Sequence, residues 1–455
     1  MYFKEIISQK IYNIIDMNVE DVIEETENPI FGDYTLPCHL IAKKINQAPN
    51  LLAEKIKANL KAVELERVEC VGSHINIYIK KDILAEYTLN KLARYKDYKP
   101  LKTGKKILIN SSLNFYKKSN FINNKLNLVI SEAIYRTMNF SGYECEQLFS
   151  VYDYEINSYY EDFLFNKKYK CTYLNAHNKE LISIINELKI KCRQIEVKKG
   201  TALIIPLEEY NLSPIVLCIN DKLIFNKSVD YLQIKYIEKL YNDYKLINIV
   251  PRKNSDHLKK LEACLYNKNT NIKLNSLLIG KFKFKAQGSK DNGNDFFVIL
   301  KSKIRIKYID VSINDIDTIC KNSFIFNCLY FLNDRFIYFD IDYMTDYNNK
   351  NYIFIQKIYT YLKNKIDRID NKCELSLIQE ERYYNIIKHI YKFHTVIQKS
   401  AENINPFFIV DFAIKLAEKL YIICKDDYSN EVIKLISTSL IILDTSMKLI
   451  GINLL

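Results

Sequence analysis

The chain has 455 residues, 48% hydrophobic and 26% charged, which excludes a disordered or fibrous protein and leaves apolar material for more than one core. A net charge of +12 suits a polyanionic partner, although a Lys-, Asn-, Ile- and Tyr-rich chain without Trp is also what an A+T-rich genome would encode. Only 9 glycines occur, with neither GxGxxG nor GxxxxGK[ST], which argues against nucleotide chemistry on a Gly-rich loop.

On length alone, about three domains are expected. No stretch approaches the roughly 18 uncharged apolar residues of a membrane span. The opening MYFKEIISQK carries charges inside its apolar stretch and lacks a cleavage signature, so no secretory leader and no membrane partner are expected. The 11 cysteines, scattered from Cys38 to Cys424 without a CxxC pair, read as free thiols in a reducing cytoplasm. They exclude a tetra-cysteine zinc site.

In chain order, residues 1–100 predict a small α+β domain. Leu52, Ala53, Ile56 and Leu60 recur at helical spacing after Pro49, and Ile75, Ile77 and Ile79 alternate as in a half-buried strand. A charged linker follows at 94–106. From 107 onward, Ile107-Leu108-Ile109, Leu203-Ile204-Ile205, Ile215-Val216-Leu217 and Leu246-Ile247-Asn248-Ile249-Val250 are short β-branched bursts. Amphipathic segments such as 124–140 and 229–244 lie between the outer pair, so a mostly parallel sheet flanked by helices is expected. Lys281, Lys283 and Lys285 alternate with Phe282 and Phe284. After Asn292-Gly293 and FFVIL (296–300), Lys301, Lys303, Arg305 and Lys307 alternate with apolar or small residues. Period 2 predicts twisted antiparallel strands with one cationic face, able to track a phosphate backbone; a solvated outer face or a lysine-blunted edge fits equally. From about 350 the spacing is helical: Ala413, Leu416, Ala417 and Leu420, then Ile436, Leu440, Leu443, Met447 and Ile450. His39, His177, His389 and His394 show no metal-ligand spacing, so no metal site is expected. The Tyr-rich stretch 152–160 suits base stacking or ordinary packing.

Several short strings stand in a telling order. They are Phe31-Gly32-Asp33-Tyr34, Val71-Gly72-Ser73-His74-Ile75-Asn76, Phe140-Ser141-Gly142-Tyr143-Glu144 and Asp256-His257. Further on come Tyr338-Phe339-Asp340-Ile341-Asp342, Tyr352 to Gln356 and Leu449-Ile450-Gly451-Ile452. Together they resemble, collinearly over nearly the whole chain, a shortened bacterial-type arginyl-tRNA synthetase. The resemblance implies an α/β Rossmann-type class I synthetase core (101–325) with a small N-terminal tRNA-contacting α+β domain (1–100). A C-terminal α-helical anticodon-binding-type bundle (326–455) completes it.

The family activates arginine with ATP and Mg²⁺ in the presence of tRNA, through HIGH and KMSKS signatures. Counted back from Gly142-Tyr143, HIGH falls on Phe121-Ile122-Asn123-Asn124; both histidines and the glycine are replaced, and Lys118 keeps the place of the family's preceding lysine. The string resembling GDWG keeps only Asp153, and that resembling RDIAY keeps only Tyr231. With Asp256 and His257, these residues are the remnant of the family pocket. KMSKS is absent, and the Lys281–Lys307 pattern stands in its place. The resemblance therefore implies a monomeric, cytoplasmic tRNA-binding protein, tRNA-Arg favoured, without ATP-dependent aminoacylation and with no cofactor. Tyr352, Gln356 and the cations at 281, 283, 285, 301, 303, 305 and 307 are its candidate tRNA contacts. An active arginine–tRNA ligase using ATP and Mg²⁺ is the alternative, and a scaffold presenting tRNA or a synthetase to another enzyme is a third.

Overall fold

The computed structural model describes residues 2–26, 29–113, 121–152, 159–162, 164–165, 167–174, 183–184, 186–187, 192–220, 222–223, 228–251, 255–266, 274–284, 293–308, 312–366, 380–426, 428 and 430–455. They fall into two units. The first draws on 1–94, 371–391 and 427–438, the second on 95–370, 392–426 and 439–455.

The first unit holds an antiparallel sheet, order β1-β2-β4-β3, made of β1 (Glu24–Glu25), β2 (Tyr34–Pro37), β3 (Leu65–Val71) and β4 (His74–Ile79). Helices α1 (Tyr2–Ile15), α2 (His39–Ile45), α3 (Pro49–Asn59) and α4 (Lys81–Leu92) belong with it. Pro49 opens α3, where its missing N–H costs nothing, and Leu52, Ala53 and Ile56 are buried as their spacing predicts. Strand β4 is not half-buried. It lies between β2 and β3, and Asn76 and Tyr78 are buried along with the three isoleucines. Asn76 stays satisfied by accepting a hydrogen bond from Thr35 Oγ1 at 3.2 Å.

A helix from far down the chain, α12 (Glu381–Tyr391), completes this unit, burying Tyr383, Ile386, Ile387 and Ile390. Its anchors are residues of the Phe31–Tyr34 string. The Asp33 carboxylate pairs with Lys388 at 2.7 Å and accepts the Ile79 N–H at 2.8 Å, and the Tyr34 and Tyr391 hydroxyls meet at 2.6 Å. Gly32 has φ +83°, and a Cβ there would lie 2.6 Å from the Ile77 carbonyl oxygen, so only glycine lets Asp33 reach this position.

The second unit is built on a six-stranded sheet, order β14-β13-β5-β6-β8-β7. Its strands are β5 (Lys106–Leu113), β6 (Glu144–Tyr152), β7 (Tyr159–Asp162), β8 (Lys167–Leu174), β13 (Tyr244–Pro251) and β14 (Leu274–Ile279), all parallel except the β7 edge. Helix α5 (Phe121–Phe140) connects β5 to β6, burying Leu126, Val129, Ile130 and Ala133. Numbered in chain order, the parallel strands run 5-4-1-2-3, a doubly wound topology. Two expected bursts lie elsewhere. Leu203–Ile205 and Ile215–Leu217 belong to a separate antiparallel sheet, order β12-β11-β10-β9, formed by β9 (Arg193–Val197), β10 (Gly200–Ile205), β11 (Ile215–Ile219) and β12 (Lys222–Leu223). The β10–β11 connection is too short for a parallel crossover. This sheet shares a core with α6 (Ser228–Leu240) and α7 (Ser255–Tyr266).

Strands β15 (Lys281–Phe284) and β16 (Phe336–Phe339) pair in parallel. Between them run α8 (Gly293–Lys307) and α9 (Ile313–Tyr330), whose Ser312 cap accepts the Asp315 N–H. Then follow α10 (Ile341–Thr345), capped by Asp340, and α11 (Tyr352–Ile366). After α12 come α13 (Phe393–Glu402), α14 (Phe407–Ile423) and α15 (Asn430–Leu449). The stripes at Ala413–Leu420 and Ile436–Ile450 are buried at every predicted position. Among the described residues no helix is long and apolar enough to cross a membrane.

Candidate functional site

In a doubly wound sheet, ligands bind outside the carboxyl ends of the strands where the strand order reverses. That point lies between β5 and β13. Both strands feed helices, β5 into α5 and β13 into α7, so two helix N-termini with free backbone N–H groups stand over one crest. Three residues before each strand ends, the two strands place an asparagine side by side. Asn110 of β5 donates from Nδ2 to Oδ1 of Asn248 in β13 at 2.9 Å, both side chains buried. Asn248 is in register with Ser276 of β14, and the next residue of β5, Ser111, is fully buried with no hydrogen-bond partner for its Oγ among the described residues.

Phe121-Ile122-Asn123-Asn124 forms the first turn of α5, the helix that follows β5. Ile122 and Asn124 are buried and Asn123 is exposed. The turn presents no imidazole and no glycine. Asp256 and His257 occupy the matching turn of α7. Asp256 is exposed, with Lys259 at 3.8 Å, and His257 is buried. These two turns open the helices that follow β5 and β13. Tyr231 is buried in the core that α6 and α7 share with the antiparallel sheet, together with Leu203, Leu217 and Leu261. Lys118, Asp153 and Lys285 lie outside the described residues. The Asn110–Asn248 bridge was not foreseen.

The cationic segment is corrected outright. Residues 293–307 form helix α8, not antiparallel strands. Phe296, Leu300 and Ile304 recur every fourth residue and are buried, which holds the segment as a helix. Ile306, which a strand would place beside Ile304, is exposed. Successive alternate residues on a helix point about 200° apart, so the four cations divide between two faces. Lys301 pairs with Asp317 of α9, Lys303 with Asp342 of α10 at 2.5 Å, and Lys307 donates to Thr345 Oγ1 at 3.1 Å. Lys281 and Lys283 do share an exposed side of β15, with Lys283 lying 3.6 Å from the centre of the Phe336 ring.

Tyr352 and Gln356 turn inward. The Tyr352 hydroxyl, whose pKa burial pushes well above the ordinary range, donates to Gln356 Oε1 at 2.9 Å and accepts from Asn322 at 3.0 Å. Gln356 also bonds the Leu455 backbone twice, Nε2 to O at 3.0 Å and Oε1 from N at 3.1 Å, while Asn322 donates to the Asn453 carbonyl at 3.0 Å. The three side chains hold residues 453–455. Among the described residues, no group of three His, Cys, Asp or Glu side chains is placed to hold a metal.

Residues 1–79 match the family described as the arginyl tRNA synthetase N terminal domain. An arginine–tRNA ligase of Clostridium kluyveri is 29% identical over 154 residues, 32% of this chain and 27% of that ligase, so this stretch spans about a quarter of the relative. A Clostridium acetobutylicum arginine–tRNA ligase aligns across 100% of this chain and 99% of its own length at 22% identity, over 558 positions. In fold, the chain matches the arginyl-tRNA synthetase of Thermus thermophilus over 100% of its length and 99% of that chain, with TM-score 0.76 at 12% identity. The Plasmodium falciparum arginyl-tRNA synthetase is covered to 98%, with TM-score 0.74 at 16% identity.

Proposed function

We propose that this arginyl-tRNA synthetase-like chain binds tRNA, an arginine isoacceptor above others, and has lost ATP-dependent aminoacylation. The observation that carries the loss is the first turn of α5. Activation needs groups there that accept a triphosphate and leave room for the nucleotide. Phe121 and Asn124 instead stand where the family has histidines, and Asn123 carries a side chain where it has glycine. The turn offers ATP neither the imidazoles nor the glycine that the family places there. The segment standing for the mobile signature loop supports the same reading, because α8 is tied by ion pairs to α9 and α10. The tRNA partner rests on the N-terminal match over 1–79 and on a fold kept over the whole chain.

One observation favours a working ligase instead, namely the end-to-end alignment with the Clostridium acetobutylicum enzyme. Arginine-dependent ATP–pyrophosphate exchange, with and without tRNA, separates the two. No exchange is expected. Exchange on the order of 1–10³ per second would install the ligase reading. Filter binding with tRNA-Arg and unrelated tRNAs should give a selective complex, and equal, weak retention of every polyanion would overturn the tRNA role.

A further inference from the structure

Two histidines that sequence spacing keeps apart meet at one corner of the first unit. His39 opens α2 and His74 opens β4. The Cys38 N–H donates to the Ser73 carbonyl at 2.8 Å, and Pro37 is the register partner of His74, so the backbones on either side are pinned together. The imidazole rings stand 5.2 Å apart, centre to centre, tilted by 57°. Both side chains are exposed.

We propose that His39 and His74 chelate a borderline divalent metal of the zinc class. The spacing is the first reason. Two imidazoles on one tetrahedral zinc, with Zn–N of about 2.0–2.1 Å, have ring centres about 5 Å apart. A stacked or edge-packed aromatic pair would not need solvent access for both rings; a chelate does. The pair supplies two imidazole nitrogen ligands and leaves the remaining positions to water or to a donor from a partner. Such a site is weaker than a four-ligand structural zinc, and it adds nothing to folding when empty. It is independent of the functional reading above.

The test uses the whole untagged chain and zinc chloride alone, followed by histidine side-chain NMR. Expected is one equivalent of zinc that shifts both rings together, with His39→Gln and His74→Gln each weakening binding by an order of magnitude or more. Zinc should also suppress carbethoxylation of His39 and His74 together in the unmutated chain, mapped by mass spectrometry, a readout that needs no variant to fold. A shift of one ring only, binding too weak to saturate at millimolar zinc, unchanged binding in either variant, or unequal protection of the two residues would each overturn the proposal.

Discussion

Replacing Lys388 by Met should loosen the first unit far more than a surface lysine would. The ammonium lies 2.7 Å from Asp33 Oδ1, and the two side chains are 16% and 11% exposed. Breaking a buried pair by removing one partner costs about 3–5 kcal/mol, because the other charge is left uncompensated. Two features move the figure to the lower end. Asp33 keeps the Ile79 N–H on its other oxygen, and neither side chain is fully sealed from water. About 3 kcal/mol is expected for Lys388→Met, and about the same for Asp33→Asn, which strands the ammonium beside the Tyr384 ring, 5.9 Å from its centre. The double variant should cost much less than the sum, since no charge is left behind, giving a coupling of about 2 kcal/mol or more. Hydrogen exchange of peptides covering 31–37, 74–79 and 381–391 reads this unit separately from the second one. A coupling below about 0.5 kcal/mol, or exchange loss confined to the peptide carrying the substitution, would refute the pairing as the anchor of α12.

Gly142→Ala should destabilise by about 2–4 kcal/mol in a urea melt, because φ is +86° and the new Cβ would lie 2.0 Å from the Leu101 oxygen. Gly72→Ala, also at positive φ but with nothing within 4 Å, should cost only about 1–2 kcal/mol; equal melts would remove Leu101 as the cause. Gln356→Ala should speed hydrogen exchange over residues 453–455 while leaving the melting temperature nearly unchanged, and unchanged exchange there would show that Asn322 alone suffices. Burial pushes the Cys320 thiol up to about 12 from the usual 9.0 and raises Cys328 as well. The folded chain holds these protons while the unfolded chain gives them up, so their stabilising effect is complete below about pH 9 and falls as pH rises toward 12. Urea midpoints across that window should decline with pH, less so in Cys320→Ala. Replacing Lys303 and Arg305 by Gln should flatten the salt dependence of RNA binding by no more than one phosphate contact, a log–log slope of about 0.7–0.9. A loss of two contacts would restore a single cationic face.

Local periodicity was a sound guide wherever one face met one core. The α3, α14 and α15 stripes and the runs of β5 and β13 stand as read, and the helix carrying the altered signature follows β5 as its resemblance required. What periodicity misses is partnership. An apolar burst such as Leu203–Ile205 is the same string in a parallel or an antiparallel sheet, and only the length of the connection decides. Lys301–Lys307 alternates, but the helix that holds it carries every-fourth-residue burial at Phe296, Leu300 and Ile304; tertiary packing of those three overrode the alternation. Tyr352 and Gln356 were read from the resemblance as tRNA contacts, not as the clamp on residues 453–455. Neither the Asn110–Asn248 bridge nor the meeting of His39 with His74 has any spacing that would announce it.

The Tyr34–Tyr391 contact joins residues 357 positions apart. A ribosome adding about 5–20 residues per second needs roughly 20–70 s to deliver the second tyrosine after the first. For that time the growing chain carries the β2–β4 sheet and the aromatic rings of Phe3 and Tyr87, which Tyr391 later meets at 5.9 and 6.4 Å, without their distant cover. Helices form in about a microsecond, so it is synthesis, not chain diffusion, that sets when this module closes. Slow codons between 92 and 381 would lengthen the open interval, during which chaperones that bind exposed apolar surface would act.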